Sequence, residues 1–145
     1  MADFTLTLEQ KIKNEWLDEY KHLNIQFYLK LFNDAWVNLL LKSGRTLDED
    51  NIGVVASRVL MAYRSEVKVG EAIEIWSGFT GLESQYITVK QKLTVDGKTR
   101  ATCDARLYAF NLTSRKQSQF TADFLETASK FRIAGAEDYF DENPE

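Results

Sequence analysis

Three polar side chains whose types suit acyl-transfer chemistry lie within seven positions near the start of the chain. Asp18, His22, which is the only histidine, and Asn24 precede an apolar segment that begins at Ile25. A carboxylate can attack a carbonyl carbon or take a proton from water. Free backbone N–H groups at the first turn of a helix, here near Ile25 and Gln26, can polarise the oxygen of that carbonyl. The spacing therefore places an acid, an imidazole and amide donors where an acyl group could dock.

Each of these side chains also has a structural interpretation. An aspartate near a helix start commonly caps the helix or interacts with its dipole. A histidine can tie a loop to backbone carbonyl groups, so the sequence leaves both a chemical and a structural role open for His22. Asn24 is a favoured N-cap residue, and we expect it to cap the helix whether or not it contacts a substrate.

Composition restricts the class of protein and of partner. The 145 residues carry 18 basic and 22 acidic side chains, and the net charge of −4 argues against a binder of nucleic acid or of anionic membranes. The single cysteine, Cys103, excludes an internal disulfide and a thiolate metal cage within one chain. The sequence shows neither a leader pattern nor an apolar run of about 18 residues, so we expect the protein to be located in the cytoplasm. We expect one domain over residues 1–145. A small molecule or a protein is the expected partner.

The segment 25–44 has the apolar spacing of a helix. Apolar side chains recur every three or four residues, and Gly44 ends the pattern. Leu29, Val37 and Leu41 widen the apolar face, so we expect other structure to enclose this central helix. The predicted core positions are Tyr28, Leu31, Phe32, Ala35, Trp36, Leu39 and Leu40.

Runs rich in β-branched and aromatic residues follow this helix and predict strands. They cover residues 57–69, 71–79, 84–95 and 98–114. The pair Asp96-Gly97 indicates a tight hairpin between the last two runs, because both turn positions need positive φ. A further strand is predicted within residues 10–17, a C-terminal helix within 120–132, and an acidic, flexible tail over 136–145.

This order of elements predicts an α+β hotdog fold, in which a curved antiparallel sheet of about five strands wraps a long helix. A cone-like α+β fold would need several helices before the strands, and only one precedes them here. The edge strands of such a sheet would stay open, so we expect two chains to pair as a homodimer or a dimer of dimers.

The chain resembles the 4-hydroxybenzoyl-CoA thioesterase-like hotdog family, and within it a subgroup of betainyl-CoA or short-chain acyl-CoA thioesterases. The resemblance is clearest in WLDEYKHLNIQFYLKLFNDA, residues 16–35, and continues in YRSEVKVGEAI, residues 63–73. It implies an enzyme that hydrolyses a short or small polar acyl-CoA thioester to the free acid and coenzyme A. It implies no metal and no cofactor other than the coenzyme A of the substrate.

The resemblance also implies roles for single residues. The family's catalytic carboxylate falls on Asp18, its loop histidine on His22 and its loop asparagine on Asn24. Asp18 would attack the carbonyl or activate water, while His22 and Asn24 orient the acyl group or the water. The N–H groups of Ile25 and Gln26 would bind the carbonyl oxygen.

The chain departs from the subgroup's pattern at three positions. Lys21 stands where the subgroup usually has glycine directly before the histidine, Asp104 where it has glutamate, and Ala109 nearest to a later histidine. Strand alternation separates Asp104 from the apolar face that contains Cys103, so we expect a solvated cross-strand ion pair, or else an accessory role in a partner chain's site. Cys103 is expected to be a core residue.

Two other functions stay open at this point. A hotdog hydratase or dehydratase also pairs an acid with a histidine, and a hotdog domain can bind acyl-CoA without catalysis. Release of a free thiol, compared with hydration of an enoyl-CoA, separates the enzymes from each other and from a binding domain.

Overall fold

One antiparallel sheet and one long helix make up most of the structure. A computed structural model describes residues 3–45 and 51–142. The five strands follow the spatial order β1-β3-β4-β5-β2, and each neighbouring pair is antiparallel. Their bounds are β1 Thr5–Lys11, β2 Ile52–Tyr63, β3 Ala72–Leu82, β4 Tyr86–Val95 and β5 Lys98–Asn111. The helices are α1 Ile25–Lys42, α2 Ala122–Ala128 and α3 Tyr139–Glu142. The predicted α+β architecture is confirmed.

Helix α1 packs one face against the sheet. All seven predicted core positions between Tyr28 and Leu40 are buried, and Gly44 has a φ of +87°, the left-handed conformation that ends many helices. The opposite side stays open, because the side chains of Ile25, Leu29 and Leu41 are 63%, 41% and 49% exposed. The expectation that other structure encloses the helix is therefore wrong for this side within one chain.

Strand β4 carries the apolar face that lies beneath α1. Ile87, Val89 and Leu93 are fully buried, while the Asp96-Gly97 turn has φ angles of 50° and 78° and leads into β5. A polar residue on that face, Gln91, donates from Nε2 to the backbone oxygen of Phe32 at 3.0 Å and so ties the sheet to the middle of α1. The predicted hairpin is confirmed.

Several predicted strand boundaries are wrong, and two of these errors concern the loops that form the candidate site. The first strand ends at Lys11, before most of the predicted range 10–17, and Asn14–Trp16 form a 3-10 turn. Strand β2 ends at Tyr63, so the predicted strand residues 64–69 belong to a loop. The last register pair is Tyr63 with Ala101, and beyond it the N–H groups of Arg64 and Ser65 both donate to the carbonyl oxygen of Arg100, so the regular strand pairing ends there.

The C-terminal segment packs on the sheet after α2. The Thr121 side chain caps α2, and the backbone N–H of Ile133 donates to Phe79 of β3 at 2.9 Å. Within the predicted tail, Asp138 and Phe140 are buried, and the Asp138 carboxylate accepts a hydrogen bond from Arg106 at 2.9 Å. The flexibility of this tail stays a prediction, and residues 143–145 lie outside the described residues.

Candidate active site

A cavity of about 360 Å³ opens at the start of α1. Two loops form it, residues 17–24 before α1 and residues 64–71 between β2 and β3. A hydrogen bond of 2.8 Å from the backbone N–H of Leu23 to the carbonyl oxygen of Val67 joins the loops. The cavity is lined by Asp18, His22, Leu23, Ile25, Tyr28, Tyr63, Arg64, Ser65 and Glu66.

Asp18 both closes a turn and faces the cavity. Its Oδ1 accepts hydrogen bonds from the backbone N–H groups of Tyr20 at 2.8 Å and His22 at 3.1 Å. The backbone N–H of Asp18 also donates to the carbonyl oxygen of His22 at 2.8 Å. Among the described residues Oδ2 has no hydrogen-bond partner, so this oxygen is the one available to a reacting group.

Lys21 occupies the strained position of this turn. Its φ of 67° lies in the left-handed region, which glycine adopts without the steric cost that a Cβ brings. The same position is the one where the resemblance leads us to expect glycine. The turn therefore keeps its geometry although lysine replaces the expected glycine. The Lys21 side chain is exposed.

His22 contacts a carboxylate that was not among the predicted site residues. Its Nε2 lies 2.8 Å from Oε2 of Glu66, and the two side chains are 39% and 44% exposed. Lys68 approaches the other oxygen of Glu66 at 3.5 Å. In the sequence, Glu66 appears only as part of the YRSEVKVGEAI stretch, 44 positions after His22, and no local spacing connects the two.

Asn24 caps α1 as expected. Its Oδ1 accepts a hydrogen bond from the backbone N–H of Gln26 at 3.1 Å, and its own N–H donates to Trp16 at 2.8 Å. The N–H of Gln26 is thus already used by the cap. The N–H of Ile25 has no acceptor among the described residues, and Ile25 lines the cavity. Of the two predicted amide donors, only that of Ile25 is available to a substrate.

Two tyrosines add an aromatic wall that the sequence did not identify as part of a site. The rings of Tyr28 on α1 and Tyr63 on β2 meet edge to face, with centroids 4.9 Å apart at 80°. Burial is the main cause that raises the pKa of each phenol, so both hydroxyl groups keep their protons at neutral pH. The helical spacing identified Tyr28 only as a core residue.

Asp104 and Cys103 do not line the cavity. Asp104 is only 5% exposed and pairs across the strands with Lys90 at 3.3 Å, so the predicted ion pair exists, although the prediction that it is solvated is wrong. Burial raises the pKa of the Asp104 carboxyl. Cys103 is fully buried, and burial raises the pKa of its thiol to about 12, as suits a core residue.

The cationic side chains near the cavity differ in whether other residues of the chain already bind them. Arg100 is held by Glu71 at 3.1 Å and by the backbone oxygen of Glu66 at 2.6 Å. The backbone N–H of Lys68, and then Arg100, lower the pKa of the Glu71 carboxyl. Arg64 lines the cavity, and its guanidinium has no partner in the part of the chain that the structure describes. It is the cation best placed to meet an anionic group of a ligand.

Residues 3–45 and 51–142 contain neither a metal-binding cluster nor a membrane-spanning helix. No group of three or more His, Cys, Asp or Glu side chains in this part of the chain could hold a metal ion. No helix there is long and apolar enough to cross a bilayer. The absence of a cofactor stays a prediction.

Several bacterial proteins whose structures have been solved, some of them named as thioesterases, have the same fold. The hypothetical protein SAV2348 from Staphylococcus aureus, solved in complex with CoA, superposes with a TM-score of 0.81 at 18% identity, over 90% of this chain and 85% of that one. DHNA-CoA thioesterase from Staphylococcus aureus gives a TM-score of 0.80 at 14% identity, over 88% and 89%. YbaW, a probable thioesterase from Escherichia coli, gives 0.76 at 19% identity, over 89% and 99%. These identities establish the fold alone.

Sequence comparison adds the family. No curated protein shows significant similarity to this chain. The profile of the thioesterase-like superfamily, in contrast, matches residues 12–128, a range that contains both loops of the cavity, α1 and all strands except β1. Sheet order, cavity and profile agree, and the chain belongs to the thioesterase-like superfamily.

Proposed function

We propose that this protein is an acyl-CoA thioesterase that hydrolyses a short or small polar acyl-CoA thioester to the free acid and CoA. One observation carries the proposal: Asp18, His22 and Ile25 line the same cavity, and the N–H of Ile25 has no acceptor among the described residues. A nucleophile or base together with an amide donor is what acyl transfer to water requires. The superfamily membership supports the same reaction class.

Two routes are open for Asp18 in this proposal. Oδ2 either attacks the thioester carbonyl, which breaks the C–S bond, releases CoA as its thiolate and forms a mixed anhydride that water then hydrolyses, or it takes a proton from the water that attacks the carbonyl directly and displaces the CoA thiolate. In both routes the N–H of Ile25 binds the carbonyl oxygen as negative charge develops on it, and the positive end of the helix dipole assists. His22 orients the water or the acyl group. Asn24 contributes by fixing the helix start.

The cavity suits a small acyl group. Its volume of about 360 Å³ lies at the lower end of the range for small-molecule sites. Tyr28 and Tyr63 offer apolar ring surface together with hydroxyl groups, and Arg64 offers a charge for a CoA phosphate or a polar acyl terminus. Two similar structures were solved with CoA, SAV2348 and a thioesterase from Thermus thermophilus at 17% identity. Specificity for betainyl-CoA or another short acyl-CoA belongs to this proposal.

Free-thiol release over a panel of acyl-CoAs tests the reaction. We expect turnover with short and small polar acyl groups, and loss of turnover in Asp18→Asn. Hydration of an enoyl-CoA, followed in parallel, would instead identify a hydratase. Equilibrium binding of acyl-CoA without thiol release or hydration would identify a binding domain, in which Asp18 serves only the turn that it closes.

A homodimer formed through the edge of β2 is part of the proposal. Among the described strands β2 pairs only with β5, and its side chains Val55, Val59, Leu60 and Tyr63 are 39–45% exposed. A long apolar edge of this kind is normally covered. Tyr63 also lines the cavity, so a second chain at this edge would lie beside the site.

Sedimentation velocity tests the pairing. The wild type should sediment as a dimer, or at twice that mass as a dimer of dimers. Val59→Lys should give a monomer, because it places a charge in the apolar edge. Leu41→Lys, on the exposed end of α1, is the matched control and should keep the wild-type mass. A monomeric wild type would refute the pairing.

A further inference from the structure

Among the described residues, Glu66 is the only acidic side chain besides Asp18 that lines the cavity, and the reaction proposed above does not use it. Its Oε2 lies 2.8 Å from Nε2 of His22, within hydrogen-bond distance. A neutral imidazole has one N–H and one acceptor nitrogen. The contact is an ion pair by distance, and a neighbouring carboxylate favours the neutral ring that has its proton on Nε2, which leaves Nδ1 as the acceptor.

The backbone on both sides of this contact is fixed. On the first loop, Oδ1 of Asp18 holds the N–H of His22, and Leu23 bonds to Val67 of the second loop. On the second loop, Arg100 donates to the backbone oxygen of Glu66 at 2.6 Å and pairs with Glu71. Because both loops are already held in place, the contact between the Glu66 carboxylate and the His22 imidazole does not carry the entropic cost of ordering two mobile loops. That cost often cancels the free energy gained from an exposed ion pair.

A purely structural role, a staple between the two loops, is the competing explanation. The backbone bond between Leu23 and Val67 already joins the loops at 2.8 Å, one residue away from each partner. The contact between His22 and Glu66 adds little to that connection, because both side chains are about two-fifths exposed. The distinctive effect of the contact is on which nitrogen of the His22 ring carries the proton.

We infer that Glu66 is a positioning residue that holds His22 with its proton on Nε2, so that Nδ1 accepts a hydrogen bond from the water used in hydrolysis. This inference rests on the proposed thioesterase function and assigns His22 to the water instead of the thioester carbonyl. A donor to the carbonyl would need an N–H on the free nitrogen. The carbonyl oxygen is left to the N–H of Ile25.

Nuclear magnetic resonance tests the state of the ring without any substrate. The chain has one histidine, so long-range ¹H–¹⁵N spectra report on His22 without assignment by mutation. At a pH where the ring is neutral, the wild type should show a single Nε2–H tautomer. Glu66→Ala should move both nitrogen shifts toward the averaged values of free imidazole. Glu19→Gln, an exposed charge removed from the same loop, should leave them unchanged. An Nδ1–H tautomer in the wild type would overturn the inference.

Kinetics test whether Glu66 acts through His22. Thiol release by Glu66→Ala should show a kcat lower by about fivefold, the upper range for a half-exposed pair, with KM within about twofold. Glu66→Gln, which keeps an acceptor oxygen, should recover part of kcat. His22→Ala/Glu66→Ala should be no slower than His22→Ala alone, since residues that act as a unit are not additive.

The outcomes separate this inference from the proposed function. A kcat in Glu66→Ala equal to wild type, or losses that multiply in the double variant, would overturn the positioning role while thioesterase activity stands. A wild type that releases no thiol from any acyl-CoA would refute the proposed function, and with it the role of the Nδ1-bound water. The tautomer measurement would then still decide whether Glu66 sets the state of the ring.

Discussion

Substitution of Asp18 separates its structural role from its chemical role. Oδ1 accepts hydrogen bonds from two backbone N–H groups of the turn that carries His22, at 2.8 and 3.1 Å, whereas Oδ2 accepts none among the described residues, and Asp18 lines the cavity. Asp18→Asn keeps an oxygen for both turn bonds and loses the charge. Asp18→Ala loses the acceptor altogether.

The magnitudes follow from these two bonds. A hydrogen bond to a partly exposed group contributes about 1 kcal/mol, so Asp18→Ala should lower the free energy of unfolding by about 2 kcal/mol. Asp18→Asn should lower it by less than about 1 kcal/mol, because the neutral oxygen still accepts both bonds. Both variants should lose at least about 100-fold in kcat, the lower range for loss of a positioned acid or base.

Two assays on the same samples check this. Urea unfolding, followed by tryptophan fluorescence, gives the free energy of unfolding, and thiol release from the best acyl-CoA gives kcat. Glu19→Gln, which removes an exposed charge next to Asp18, should match the wild type in both. Wild-type turnover in Asp18→Asn would refute the chemical role. An Asp18→Ala variant as stable as the wild type would refute the structural role.

Four further predictions concern single residues. Lys21→Gly should raise the free energy of unfolding by up to about 1 kcal/mol in urea unfolding, since the φ of 67° suits glycine, whereas Lys21→Ala should not. Asn24→Ala should lower it by about 1 kcal/mol through loss of the cap on Gln26. The lowered pKa of Glu71 stabilises the fold above the ordinary value of 4.5, and this contribution is lost as pH falls through the folded-state pKa. Glu71→Gln should therefore be less stable than the wild type at pH 7, and the difference should close in unfolding series run toward pH 3. The Cys103 thiol, with a pKa of about 12, should resist iodoacetamide at pH 8 until urea unfolds the chain, as mass spectrometry would show.

Local patterns in the sequence were enough to predict the main helix, one hairpin and the half of the site that lies directly before α1. The spacing of apolar residues located α1, the Asp96-Gly97 pair located the hairpin, and Asn24 was identified as the cap that it is. Asp18 and His22 were identified because they lie a few positions before that helix and match the pattern of the family that the chain resembles. Such features depend on the geometry of neighbouring residues, which the chain imposes by itself.

Tertiary contacts determined the other half of the site, which comes from the end of β2 and the loop that follows it. Tyr63, Arg64 and Glu66 reach the cavity because β2 pairs with β5 and because Leu23 bonds to Val67, contacts between residues far apart in sequence. The same pairing, with the C-terminal segment packed nearby, buries Asp104, which strand alternation alone had assigned to solvent. Periodicity shows which face of an element is apolar, and only the assembled sheet shows which loops and side chains meet.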